Sequence, residues 1–332
     1  LKQILLHVAF THFELQHGSS NSFFTSILFI ANKKRMEIAK ELRDISKKDA
    51  IDSYEELKET EKKEPDFSRI GLKTLDFFFL HHRIKAKTKG ISFYEAIKDK
   101  EERSHLNELV VKYKKRPIKD YDDVGLLKMQ YQVFQLYWGS INQFRPTIAK
   151  WIYSTLKAKR GILDFSAGWG GRCLAAMSMG IPYIGIDANT KMEVSYRRMI
   201  EIDPDAKVTM IFKPSEQVDF SKYEYDVVFT SPPYFMIERY EKMPAYKSKE
   251  EFLQEFFFPV TLNAWKHLKR GGNMALNIPE EMYEAVKPLL PKVKHHLLLP
   301  LSNRHPTNAQ KLQKLGKEDK ERNEIIYVWH KA

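Results

Sequence analysis

Between Gly161 and Cys173 the chain reads GILDFSAGWGGRC, and this stretch narrows the choice of fold more than any other. A short apolar run, Ile162–Leu163, ends in Asp164; Gly168, Gly170 and Gly171 follow, and Arg172–Ser178 has a helix-forming composition. A strand that stops at a glycine-rich turn before a helix lets backbone N–H groups approach a ligand closely, because glycine carries no Cβ. Alone, such a turn is equally a tight connection in any α/β domain.

Two later stretches extend the pattern. Tyr183–Asn189 (YIGIDAN) is a second apolar strand ending in a carboxylate, Asp187, seventeen residues beyond Gly170. At about that separation the second strand of a nucleotide-binding fold offers an acid to ribose hydroxyls. Asp226–Phe235 (DVVFTSPPYF) is a strand running into Ser-Pro-Pro-Tyr. The prolines cannot extend a ladder, so the strand ends in a rigid loop at its carboxyl edge, where open α/β sheets bind ligands.

These residues support a resemblance. LDFSAGWGG resembles the LDPFAGSGT-type cofactor loop of the S-adenosylmethionine-dependent DNA amino-methyltransferases, with Ser166 where a Phe is usual and Trp169 between the glycines. TSPPY resembles their (Asp/Asn/Ser)-Pro-Pro-(Tyr/Phe) tetrapeptide, which also occurs in enzymes that methylate amino groups of RNA bases or of a protein glutamine. Tyr137–Tyr153 (YWGSINQFRPTIAKWIY) resembles the helix-opening segment that precedes the loop, so the resemblance covers about Tyr137–Trp329.

The resemblance implies a class I methyltransferase fold and S-adenosylmethionine as cofactor. It places Asp164, Ser166, Ala167, Gly168, Trp169 and Gly170 on the loop, with Gly168 and Gly170 beside the methionine portion. Asp164 would orient the loop or meet the methionine ammonium. Asp187 and Ala188 would take the ribose, Ser215 the adenine, and Phe144 and Pro146 would touch the cofactor from the preceding segment.

Ser231, Pro232, Pro233 and Tyr234 would be catalytic. An exocyclic amino nitrogen has its lone pair delocalised into the base, and a hydroxyl and a carbonyl accepting its two hydrogens draw it towards tetrahedral geometry. Tyr234 would stack on a base flipped out of a duplex. Phe235, Tyr240 and Arg304 are candidate substrate contacts.

Elsewhere the sequence sets bounds. A formal charge of +12 favours a polyanionic partner. The single cysteine, Cys173, excludes an internal disulfide and a cysteine-built zinc site, and is expected to be a small buried residue. His7, His12 and His17 do not share a helix face, so no metal is expected. No apolar run reaches the ~20 residues that cross a bilayer, and Ser22–Ala31 is too short, which points to a soluble intracellular protein. The chain starts at Leu1, as a fragment or processed form would.

Residues 1–130 read as a mainly helical region able to recognise nucleic acid, and 131–332 as the catalytic domain. Lys33–Lys63 predicts one exposed amphipathic helix, Phe67–Leu80 a core segment, and Ser92–Glu102 a short helix. Val111–Lys119 is a basic stretch suited to phosphate, or a plain solvated linker, and Ser302–Arg322 is a basic loop of about twenty residues that either lines a nucleic-acid groove or is disordered.

From Gly161 strands and helices alternate. Strands are predicted at Gly161–Phe165, Tyr183–Asp187, Lys207–Phe212, Asp226–Thr230, Asn273–Ile278, Val293–Leu301 and Glu324–Trp329, as a mostly parallel seven-stranded sheet with helices on both faces. The function expected is a DNA methyltransferase acting on cytosine N4 or adenine N6 of double-stranded DNA. Its rivals are an RNA base methyltransferase and a non-catalytic nucleic-acid-binding protein of the same fold.

Overall fold

Seven short apolar runs pair into one sheet: β1 (Ile162–Asp164), β2 (Tyr183–Ile186), β3 (Val208–Ile211), β4 (Val227–Thr230), β5 (Asn273–Asn277), β6 (His295–Pro300) and β7 (Asn323–His330). The computed structural model describes residues 34–61, 64–233, 246–300 and 323–332. The strand order is β3-β2-β1-β4-β5-β7-β6, and only β7 runs against its neighbours. With helices on both faces, this is the Rossmann-like sheet of the class I methyltransferase fold.

The order reverses at β1, because the chain leaves it towards β2 and β3 and returns to β4 on the other side. That crevice is the switch point where such sheets hold ligands. The pleat sorts the side chains: Ile162, Phe229, Ala275, Ile326 and Val328 enter one apolar cluster, and Leu163, Val228, Leu276 and Tyr327 the other.

Before the sheet come α1 (residues 34–42), α2 (Lys47–Glu59), α3 (Leu72–Arg83), α4 (Phe93–Ala96), α5 (Lys100–Lys114), α6 (Asp123–Tyr137) and α7 (Pro146–Thr155). The single helix predicted over Lys33–Lys63 is two, because Ser46 and Asp49 form a capping box that starts α2 afresh. Nor is α2 merely a solvated helix: Tyr54 and Leu57 are fully buried beside Leu75, Phe78 and Phe79 of α3, in the same cluster as Ile162 and Leu174. The helix predicted over Ser92–Glu102 also divides, since Ser92 caps α4 and Asp99 caps α5.

Lys89 and Gly90 both have positive φ, and between Lys87–Thr88 and Ile91–Ser92 they close a small hairpin. Val111–Lys119 covers the end of α5 and a turn of 3-10 helix. Pro146 takes the first position of α7, where its missing N–H costs nothing.

Within the sheet region α8 (Gly171–Ser178) follows β1 and α9 (Glu193–Ile200) follows β2. The helical stretch between β4 and β5 is α10 (Lys249–Phe252), a π-helical turn (Leu253–Phe257) and α11 (Phe258–His267). The π turn lies just before Pro259, which can donate no helical hydrogen bond. α12 (Glu280–Val286) precedes β6. Among the described residues no helix is long and apolar enough to cross a membrane. Leu1–Ala31 and Ser302–Arg322 lie outside the described residues.

Candidate active site

The turn after β1 is held by a buried ion pair. Asp164 is fully buried; its Oδ2 accepts from Arg172 Nε at 2.6 Å and from the Tyr183 hydroxyl at 2.6 Å, and its Oδ1 from Ser166 N at 3.2 Å. The carboxylate ties the end of β1 to the first turn of α8. Asp164 does not border the cavity described below; its contacts lie within the turn and its neighbours.

The glycines divide their work. Gly168 has φ +62° and an open side, where an added Cβ would meet nothing nearer than Ser166 O at 3.8 Å; this glycine borders the cavity. Gly170 was expected beside the ligand too, but its φ is +79° and a Cβ there would lie 2.7 Å from the Phe79 ring of α3. At Gly171 a Cβ would sit 1.9 Å from the Phe144 carbonyl oxygen, so only glycine lets the preceding segment cross this turn. Cys173 is buried behind it, and burial pushes its thiol well above the usual range.

At the end of β2, Asp187 accepts from Gly168 N at 2.8 Å and from Asn189 N at 2.8 Å. Burial pushes its carboxyl up to about 6, against the lowering effect of those two amides. The Tyr196 hydroxyl donates to Gly168 O at 2.8 Å, so the turn is braced from α9 as well. After β3, the Ser215 hydroxyl donates to Phe165 O at 2.6 Å, which leaves this side chain engaged within the protein.

After β4 comes Ser231-Pro232-Pro233, with no cis peptide among the described residues. The Ser231 hydroxyl donates to Asn277 Oδ1 at 3.1 Å. Thr230 pairs with Leu276, so Ser231 and Asn277 are the next residues outward on adjacent strands. Tyr234, Phe235, Tyr240 and Arg304 lie outside the described residues.

One cavity of about 440 Å³ joins these strand ends, a size typical of sites for small ligands and cofactors. Ser166, Ala167, Gly168 and Trp169 line it from β1, Asp187 and Ala188 from β2, Ser215 from β3, and Ser231, Pro232 and Pro233 from β4. Phe144 lines it from the segment before α7. Pro146 instead packs near Gly71, whose added Cβ would meet the Pro146 ring at 3.0 Å. Gln143, Arg145, Asn277 and Glu324 also border the cavity and were not anticipated. Asn277 alone had a visible signal, as the polar end of the apolar strand NMALN before Ile278-Pro279.

The donor set fits an adenosyl amino acid. Asp187 faces the cavity as an acceptor where a ribose diol would donate. The buried Oε1 of Gln143 has no hydrogen-bond partner, while its Nε2 donates to Asp76 Oδ1 at 3.2 Å. A cationic amino group in the cavity would satisfy that oxygen. Among the described residues no group of three or more His, Cys, Asp or Glu is placed to hold a metal ion.

No protein-family model matches the chain, and no curated protein sequence does. Solved structures resemble it over about half its length. TrmN from Thermus thermophilus is 17% identical over 56% of this chain and 49% of its own, with a TM-score of 0.40, so the match spans about half of that protein. An rRNA methylase from Streptococcus thermophilus is 12% identical over 57% of this chain and 98% of its own, with a TM-score of 0.37. A Streptococcus mutans protein in complex with SAH is 10% identical over 57% of this chain and 98% of its own, with a TM-score of 0.35.

Proposed function

We propose that this protein is an S-adenosylmethionine-dependent methyltransferase acting on an exocyclic amino group of a nucleobase in DNA or RNA. One observation carries the reading: Ser231-Pro232-Pro233 shares a single cavity with the Gly168 turn and the Asp187 carboxylate. Ligand-positioning groups and an amino-accepting tripeptide therefore face the same space. The charge of +12 supports a polyanionic substrate.

When bound, S-adenosylmethionine supplies an electrophilic methyl group on its sulfonium. Asp187 would hold the ribose hydroxyls, Gly168 would keep the turn thin enough for close approach, and Gln143 Oε1 would receive the ammonium. Ser231 Oγ and the Pro232 carbonyl would accept hydrogen bonds from the two amino hydrogens of the target, which frees its lone pair from the ring for the N–C bond that replaces the S–C bond, with the thioether as leaving group. These acceptors stabilise the positive charge that develops on nitrogen. The surplus proton then leaves to water, so the step requires no carboxylate base. A paired base cannot reach the cavity and has to be flipped out first.

The test incubates the protein with methyl-labelled S-adenosylmethionine and either duplex DNA or RNA, followed by digestion to nucleosides. Label on an exocyclic amino nitrogen is the expected result, and the sugar of the labelled nucleoside identifies the polymer. Label confined to a ring nitrogen, a ring carbon or an oxygen overturns the reading, as does cofactor binding without transfer to either polymer.

A further inference from the structure

We infer that Asn277 is a positioning residue that fixes the Ser231 hydroxyl as a hydrogen-bond acceptor, so that the site selects nitrogen atoms that still carry hydrogen. This rests on the proposed amino-methyl transfer and assigns its selectivity to a residue of the neighbouring strand.

A serine hydroxyl has one hydrogen to donate and two lone pairs to accept with, and its rotor is otherwise free. A free Ser231 would donate to a ring nitrogen as readily as it accepts from an amino group. Here the hydrogen is committed to Asn277 Oδ1 at 3.1 Å. What remains towards the cavity is acceptor only. A ring nitrogen or carbonyl oxygen offered to Ser231 meets lone pair against lone pair, whereas an amino group meets two acceptors.

The placement of Asn277 is rigid. It ends β5, is only 2% exposed, and is held by register on both sides: Thr230 pairs with Leu276, and Asn277 with Ile326 of β7. The pleat puts Phe229 and Ala275 in one apolar cluster, so Ser231 and Asn277, two residues further along each strand, share that face. A surface serine has no such constraint on its hydrogen.

The experiment is a double-mutant cycle in single-turnover methyl transfer, with cofactor affinity measured by calorimetry and folding by thermal melting. Asn277→Leu should slow transfer about 10- to 100-fold while cofactor affinity stays within about twofold. In a Ser231→Ala background the same substitution should cause no further loss, because its target hydroxyl is gone.

Asn277→Asp retains an acceptor and should recover most of the rate lost in Asn277→Leu at neutral pH. It should add an acid limb to the pH profile, since a protonated carboxyl can donate to Ser231 and release its hydrogen. Equal losses in both backgrounds, or an Asn277→Asp enzyme as slow as Asn277→Leu, overturn the inference while leaving the proposed reaction intact. Absence of transfer by the wild-type protein overturns both.

Discussion

Asp187 lines the cavity and has a carboxyl that titrates close to neutral pH. Its carboxylate already accepts two backbone amides, yet burial still raises its pKa to about 6. In the proposed complex the ionised form is the one that would accept from ribose hydroxyls. Affinity for S-adenosylmethionine should therefore be flat above about pH 7 and fall below pH 6, by up to about tenfold per unit as the carboxyl protonates. The free protein carries the opposite slope from this group. Its folded pKa exceeds the ordinary carboxylate value of about 4, so this group's contribution to stability declines as pH rises from about 4 to about 6.

Asp187→Asn should weaken cofactor binding by about 10- to 100-fold, the usual worth of hydrogen bonds to a charged acceptor, and remove the pH step. Calorimetric titration between pH 5 and 8, run on both proteins, checks this. A wild-type affinity that does not change across that range would mean that no cofactor hydroxyl meets this carboxylate.

At the scale of elements, the β1–α8 turn is where three parts of the chain meet. Gly168 faces the cavity, Gly170 faces Phe79 of α3, and Gly171 lies under the Phe144 carbonyl. Substitutions at the three should separate binding from stability. Gly168→Ala pays for its left-handed backbone, about 1–2 kcal/mol, and puts a methyl into the ligand's space, so cofactor affinity should drop in a protein that still melts cooperatively. Gly171→Ala should instead destabilise by about 1–3 kcal/mol or more, because backbone rather than a side-chain tip must move. Thermal melting beside calorimetry distinguishes the two. Equal effects of both substitutions on melting would remove the distinction.

The same turn shows what local sequence can and cannot carry. The seven strands and the Gly-rich turn were legible because apolar runs, glycines and prolines act over a few residues. Gly170 packing on Phe79 and Gly171 crossing Phe144 were not, since each partner lies far away in sequence. The Asp164–Arg172 pair is only eight residues apart, yet it becomes a pair only when β1 and α8 fold against each other. Asn277 belongs with these, a polar strand end whose meaning comes from the neighbouring Ser231.

For the molecule as a whole, the question is whether residues 131–332 stand alone. Several links cross that boundary. Lys150, buried in α7, donates to Leu57 O at 2.6 Å and Lys58 O at 2.9 Å, at the end of α2. Thr147 donates to Asp66 O at 2.7 Å, and the Tyr54 hydroxyl donates to Asp203. Tyr54, Leu57, Leu75 and Phe79 are at 0% exposure in the cluster that covers one face of the sheet. Removing them would uncover that face and leave the Lys150 ammonium without these two acceptors, either of which costs several kcal/mol against a typical domain stability of about 5–15 kcal/mol.

A protein comprising 131–332 should therefore be aggregation-prone or bind hydrophobic dye without a cooperative melt. One beginning at residue 34 keeps α2, α3 and the links to Asp66, Lys150 and Asp203, and should melt cooperatively. Circular dichroism melts of the two truncations provide the comparison. A cooperative, dye-negative 131–332 that binds S-adenosylmethionine would establish it as an independent catalytic domain, and would reduce the helices α2 and α3 to an appendage. A molten 131–332 would mean that α2 and α3 belong to the catalytic fold, leaving α1 and α4–α6, among the described helices of the N-terminal region, to meet a substrate.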